Sequence, residues 1–438
     1  LQQHSQRSIL RFWSPLAATW VMMATEGPFL AAVIARLPEA THNLAAYGVA
    51  FALAIVVEAP VMMLMSAATA LVRDATSYRK LRAFSRALIA GTTGVLAVML
   101  VPGVHSWVTR SAMGLPAAVA DLTYGALWFF LPWPGAIAYR RFLQGVLIRA
   151  GKTRLVAYGT VIRLAAMSGA ALMGYLLLDI PGAWIGSMAL ATGVVAEAAA
   201  ARLMAASTVG ELLAAARVRP NEPEIRYREI AAFYFPLALT SVIALTVQPM
   251  LTFFMGRSVA PVQSLAVFPV VHALSFFFRS MGLAFQDAAI ALMGERFEHL
   301  RALGRFGMAL GIATSLGLAL VALTPLSNVY FVTISGLTPE LTSVALTPAR
   351  LIVPLPALTV LLAFQRAILV EGRRTQHITV ASAIEVGTIA TVFAVLAWGL
   401  GLVGATAAFA AFTCGRTLSN GYLVFGCRGV LARRRAPA

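Results

Sequence analysis

Apolar residues run along this chain in long blocks separated by short polar stretches. The blocks are much longer than the 4–8 residues of a buried strand and show no strict alternation of apolar and polar positions. Most reach the roughly 20 residues that a helix needs to cross the hydrocarbon of a bilayer. Twelve such blocks predict helices over approximately 12–35, 44–70, 84–108, 119–148, 155–178, 184–206, 229–256, 263–293, 304–326, 350–370, 378–399 and 404–425. The longest leave room for tilt or for extension beyond the membrane. Prolines interrupt several of them, at Glu26-Gly27-Pro28, Glu58-Ala59-Pro60, Pro132-Trp133-Pro134, Gln248-Pro249 and Pro354-Leu355-Pro356. Each proline removes a backbone donor and is expected to bend or break its helix.

The pattern repeats. Residues 12–71 align without a gap to 233–292 at an offset of 221, with 19 of 60 pairs identical. The matches include Phe12/Phe233, Pro15-Leu16-Ala17 with Pro236-Leu237-Ala238, Pro28/Pro249 and Arg36/Arg257. Leu and Ala match easily between apolar helices, whereas Pro and Arg in register do not. At an offset of 222 the register continues through Pro132 and Pro134 with Pro354 and Pro356, Phe142 with Phe364, and Gly182-Ala183 with Gly404-Ala405. The expected fold is an all-α polytopic membrane protein of twelve transmembrane helices in two parallel six-helix repeats. The expected divisions are a lobe over 1–206, a linker over 207–228 and a second lobe over 229–438. An even number of helices per repeat gives both halves the same orientation, with substrate expected between them.

Composition and charge set the environment. The chain of 438 residues is 60% apolar and 12% charged, with a mean hydropathy of +0.82, which no soluble chain of this size could bury. Its 34 basic residues outnumber 17 acidic ones. A basic balance in a soluble domain would suggest nucleic acid, but here 24 basic residues lie in one set of loops and the termini, against only Arg36, Arg110 and Arg257 in the alternate set. That asymmetry places both termini in the cytoplasm, in a cell inner (plasma) membrane, and leaves no call for a nucleic-acid partner. The start, Gln2 to Arg11, is polar and basic, and the apolar block after it is too long for a signal peptide, so the first span is expected to be retained. Cys414 and Cys427 imply neither a disulfide framework nor a metal site.

Charges within the spans are the candidate working parts, because each costs at least ~2.5–3.5 kcal/mol near the bilayer centre unless it meets a partner or water. The repeat places opposite charges at equivalent positions twice, Glu58 with Arg279 and Arg163 with Glu385. Facing one another across the axis, each pair is expected to close a gate as a salt bridge; the other reading is a permanent ion pair. His272, Ser275, Arg279 and Gln286 share one face of the eighth predicted helix, beside Asp287, and are expected to line water. His272 there is a candidate proton sensor, or simply a hydrogen-bonding neighbour. Arg140-Arg141 with Gln144, and Gln365-Arg366, sit on the cytoplasmic halves of equivalent helices; one of the first two arginines is expected in the cavity, and Arg366 at the headgroups. Seven span-associated arginines exceed the five acids Glu26, Glu58, Glu197, Asp287 and Glu385, which favours an anionic substrate. No enzyme motif is present: Gly151-Lys152-Thr153 lacks the upstream glycine of a phosphate-binding loop, and no cofactor or metal is expected.

Twelve helices in two parallel repeats resemble the superfamily of multidrug-and-toxin extruders, polysaccharide flippases and lipid II flippases. Within it, Phe12 to Leu16, Leu44 to Ala50 followed by Ala59-Pro60, Phe235 to Leu239, Gln248 to Arg257, Pro354 to Pro356 and Gly401 to Thr406 resemble the progressive ankylosis family most closely, in a bacterial member. That resemblance implies export of small anions such as pyrophosphate, nucleotides or citrate-like carboxylates. The expected activity is therefore secondary-active export of a small organic or phosphorylated anion by alternating access, with a coupling ion as a possible further partner. Two alternatives stand beside it. One is cation-coupled multidrug export of amphipathic cations, motivated by Glu26 and Glu58; the other is a flippase for a lipid-linked substrate.

Overall fold

The computed structural model describes residues 5–214, 225–294, 297–372 and 374–435. Most of the predicted linker, residues 215–224, lies outside these. Twelve helical legs follow the apolar blocks: α1 Gln6–Ala35, α2 Ala40–Leu71, α3 Ala75–Met99, α4 Ala117–Phe130 with Trp133–Arg149, α5 Thr153–Leu177 and α6 Gly182–Ala214 form the first repeat. The second comprises α7 Tyr227–Met255, α8 Pro261–Leu292, α9 Leu300–Leu323, α10 Pro339–Glu371, α11 Gln376–Gly399 and α12 Gly404–Arg435. Ten helices among the described residues are long and apolar enough to cross a membrane. Helices satisfy their own backbone, as a segment in hydrocarbon must. Large apolar side chains face outward along them, such as Leu177 at 73% and Leu203 at 77% exposure, while Glu197 and Ser275 are buried.

Local chemistry sets the ends and breaks. Asp74 caps α3, its carboxylate accepting from Ser77 N at 2.7 Å while Ser77 Oγ accepts from Asp74 N at 2.9 Å. Thr338 caps α10 ahead of Pro339. Four of the five proline sites interrupt a helix. Ala59–Val61 is a 3-10 turn within α2, α4 breaks before Trp133, α7 breaks at Thr246, and α10 breaks over residues 352–354. The exception is Pro28, which sits inside an unbroken α1. Beside it α1 comes close to α8: a Cβ on Gly27 would lie 3.2 Å from the Ala273 side chain.

The repeat is visible in detail. Trp107–Ala112 and Val329–Ile334 are both π-helical and stand 222 residues apart. Each is closed by a matching bond, Leu115 N to Thr109 O at 2.9 Å and Leu337 N to Phe331 O at 2.8 Å.

The chain forms two compact units, one of Leu37–Thr252 and one of Leu1–Arg36 with Phe253–Ala438. The first helix of each repeat is grouped with the body of the other. In the C-terminal unit, α1 packs on α8, and Trp13 Nε1 donates to Met281 O at 3.2 Å. In the N-terminal unit, α7 packs on the break in α2, and Tyr234 Oη donates to Pro60 O at 2.5 Å. Trp13 and Tyr234 are repeat equivalents, and so are Met281 and Pro60, so the two attachments match residue for residue.

Candidate functional site

Each unit buries a cluster of charges, and the two clusters occupy equivalent helices. In the N-terminal unit, Glu58 is the last residue of α2 before the 3-10 turn. Pro60 cannot donate to the helix, so the chain tightens there and leaves Glu58 turned into the protein at 5% exposure. Its carboxylate accepts from Trp133 Nε1, its one hydrogen-bond donor among the described residues. Trp133 reaches it because α4 restarts at that residue, immediately after Pro132. The indole packs edge-on against Phe130 and Phe51, at 5.4 and 6.5 Å between ring centres. A buried carboxylate thus stands at an aromatic wall with no cation paired to it among the described residues.

Deeper in that unit lies an ion-pair network that ties three helices together. Glu197 of α6, at 1% exposure, accepts from Arg140 of α4, and its other oxygen accepts from Gln144 Nε2 at 3.1 Å. Arg140 and Gln144 are one helical turn apart, on one face. Arg163 of α5 places a guanidinium nitrogen 3.9 Å from Glu197. Gly193 makes this possible: a Cβ there would come within 3.0 Å of the Arg163 carbonyl, so only a glycine lets α6 approach α5 so closely.

The C-terminal unit repeats the plan with the charges inverted. Arg416 of α12 donates Nε and Nη2 to Glu385 of α11, at 2.9 and 2.7 Å. Gly415 is the equivalent of Gly193, and a Cβ on it would lie 2.9 Å from the Glu385 carbonyl. One pair of helices therefore carries Arg then Glu, the other Glu then Arg, each across a glycine contact at the same register. Arg279 of α8, at 8% exposure, donates Nε to Thr359 Oγ1 at 3.2 Å, and Arg416 Nη1 reaches the same oxygen at 3.4 Å. Both guanidiniums lie over the Phe412 ring, at 4.7 and 5.6 Å. Nearby, Gln365 Nε2 donates to Asn420 O and Asn420 Nδ2 to Leu358 O, at 3.0 and 2.8 Å, joining α10 to α12.

The remaining candidates sort by burial. Glu26 is buried in α1. The polar stripe on α8 is not uniformly open: His272 is half-buried between Phe268 and Phe276, Ser275 is fully buried, Gln286 is half-buried and Asp287 is exposed. Arg140 lies inside, in an ion pair, and Arg141 beside it is half-buried. Arg366 is half-buried, and its shielded Nε has no hydrogen-bond partner among the described residues. Arg163 and Glu385 each have an oppositely charged partner inside their own unit, Glu197 and Arg416. Those two partners, together with Phe412 and Thr359, were not among the expected site residues. The repeat offers no signal for them, since Glu197 aligns with Ser419 and Arg416 with Val194. Among the described residues no group of three or more His, Cys, Asp or Glu is placed to hold a metal.

No family model matches the chain, and neither does any curated protein. Solved structures do. An inward-facing multidrug resistance MATE family transporter of the MOP superfamily aligns with 96% of this chain and 96% of its own, at a TM-score of 0.73 and 14% identity. The fold is that of the MATE-type transporters. The lipid II flippase MurJ, in an inward closed conformation, aligns at a TM-score of 0.69 and 12% identity over 97% of this chain and 89% of its own. A MOP superfamily transporter from Pyrococcus furiosus, described as having a binding pocket of reverse polarity, aligns at 0.65 and 13% identity over 99% and 98%. A MATE-type fold built from apolar helices of membrane-crossing length makes this a multi-pass membrane protein.

Proposed function

We propose that this protein is a secondary-active transporter that exports an amphipathic cation by alternating access, in the manner of the multidrug transporters it resembles. The observation that carries the reading is the end-to-end match to a multidrug MATE transporter, over 96% of both chains. The corner at Glu58 supports it chemically. A carboxylate that makes no salt bridge among the described residues, set against Trp133, Phe130 and Phe51, offers both charge and aromatic faces to an amphipathic cation. In this reading both termini are cytoplasmic, the membrane is the cell's inner (plasma) membrane, a cation gradient drives the cycle, and no enzymatic step is involved.

A second reading keeps the small-anion export of the progressive ankylosis resemblance. It is favoured by the C-terminal cluster, where Arg279 and Arg416 face the single carboxylate Glu385. The test is transport by the purified chain in proteoliposomes, with tetraphenylphosphonium, citrate, pyrophosphate and a lipid-linked pyrophosphate compared under the same ion gradients. Movement of tetraphenylphosphonium, lost in Glu58→Gln, is the expected result. Movement of citrate or pyrophosphate alone supports the second reading, and movement of the lipid-linked compound alone makes the protein a flippase.

A further inference from the structure

Arg279 and Arg416 are held together at an unusual place. Both donate to one oxygen, Thr359 Oγ1, at 3.2 and 3.4 Å, and both rest on one ring, Phe412. Thr359 donates its own proton to Leu355 O at 2.8 Å, so its oxygen can only accept from them. All of these groups are buried: Arg279 at 8%, Arg416 at 7%, Thr359 at 1% and Phe412 at 8% exposure. Two like charges in such surroundings repel strongly, because the low dielectric that strengthens attraction strengthens repulsion equally. Among the described residues Glu385 hydrogen-bonds Arg416 alone and acts on Arg279 only through space. Arg279 has no carboxylate partner among the described residues. Its two terminal nitrogens, four N–H donors, have no protein acceptor there either. Two helical turns further along α10 from Thr359, Arg366 adds positive charge rather than balancing it. A buried guanidinium needs a counter-charge.

We propose that the Arg279–Arg416–Thr359–Phe412 cluster is a binding site for a small inorganic anion of halide size, which acts as a resident counter-ion and not as cargo. The terminal Arg279 donors and the unused edge of Arg416 supply charge-assisted hydrogen bonds. Phe412, lying under both guanidiniums, closes one side of the cluster. The site belongs to the second repeat alone, since the first has Glu58 and Ile137 where this one has Arg279 and Thr359.

The test uses the purified full-length chain in detergent, with sodium chloride exchanged for sodium gluconate at constant ionic strength so that screening does not change. Chloride is expected to raise the melting temperature saturably, because a ligand that binds only the folded state stabilises it. Equilibrium dialysis with labelled chloride is expected to give one site per chain, displaced by bromide. In Arg279→Met the binding and the melting response should both vanish, while the melting temperature in gluconate should equal or exceed that of the parent. Should that variant fail to fold, Arg279→Lys keeps the charge but removes the guanidinium's forked donors and is expected to raise the half-saturating chloride by roughly tenfold, the loss of about one charge-assisted hydrogen bond. An absence of chloride binding in the parent would overturn the proposal. So would binding that is unchanged in Arg279→Met, or in Arg279→Lys where the first variant does not fold.

Discussion

Glu197 holds two arginines and a glutamine from two other helices, and its charge is what permits Arg140 and Arg163 to stay buried. Glu197→Gln should therefore cost about 3–5 kcal/mol, the usual penalty for leaving one member of a buried pair uncompensated. Thermal unfolding in detergent measures it, and a loss below about 1 kcal/mol would show that the network carries little stability. At Glu58 the effect is smaller, because Trp133 supplies one neutral donor. Trp133→Phe keeps the aromatic wall and removes that donor, for an expected loss of about 1–3 kcal/mol. The sequence made some of these residues legible and hid others. Glu58 and Arg279 stand out because a fixed offset superimposes opposite charges, and both are indeed buried at equivalent places in their helices. Glu197 and Arg416 were visible only as charges inside apolar spans, since their repeat equivalents, Ser419 and Val194, carry none. Which partner a buried charge takes depends on helix rotation and packing, and an apolar span without a polar face does not reveal its rotation.

Helix pairs α5–α6 and α11–α12 approach closely at glycines that stand 222 residues apart, Gly193 and Gly415. Small residues at such contacts let backbones meet and so bring the charged side chains beside them into range. Gly415→Val would press a branched side chain against the Glu385 carbonyl and Ile389, at an expected cost of about 1–3 kcal/mol. The same substitution at Gly429, which has open space around it, should be nearly silent in the same unfolding measurement. Length and apolarity alone made all twelve legs legible, because a membrane helix announces itself by an unbroken apolar run. Proline located four of the five expected interruptions. Pro28 does not break α1, where Gly27 packs against Ala273 of α8, and nothing local in the sequence records that contact.

At the scale of the molecule, the repeat predicted equivalence but not grouping. An alignment at offset 221 says that Trp13 and Tyr234 correspond; it does not say that each is bonded to the body formed mainly by the other repeat, through the carbonyls of Met281 and Pro60. Trp13→Phe and Tyr234→Phe each remove one such bond and should cost about 0.5–1.5 kcal/mol of unfolding free energy apiece, with additive effects because the two sites lie in separate units. Orientation is tested independently. Ile334→Cys, at a residue half exposed in the π-helical segment before α10, is expected to react with a membrane-impermeant maleimide from outside intact cells in a Cys414→Ser background. Reaction only after permeabilisation would reverse the topology inferred from the arginine-rich loops. Alternating access itself is tested most directly by counterflow. Proteoliposomes loaded with unlabelled tetraphenylphosphonium and diluted into a trace of the labelled compound, with no ion gradient imposed, should take up label transiently above its equilibrium level, because a carrier that returns loaded exchanges one molecule for another. Uptake that rises only to equilibrium, and at a rate unaffected by the internal load, would contradict the account.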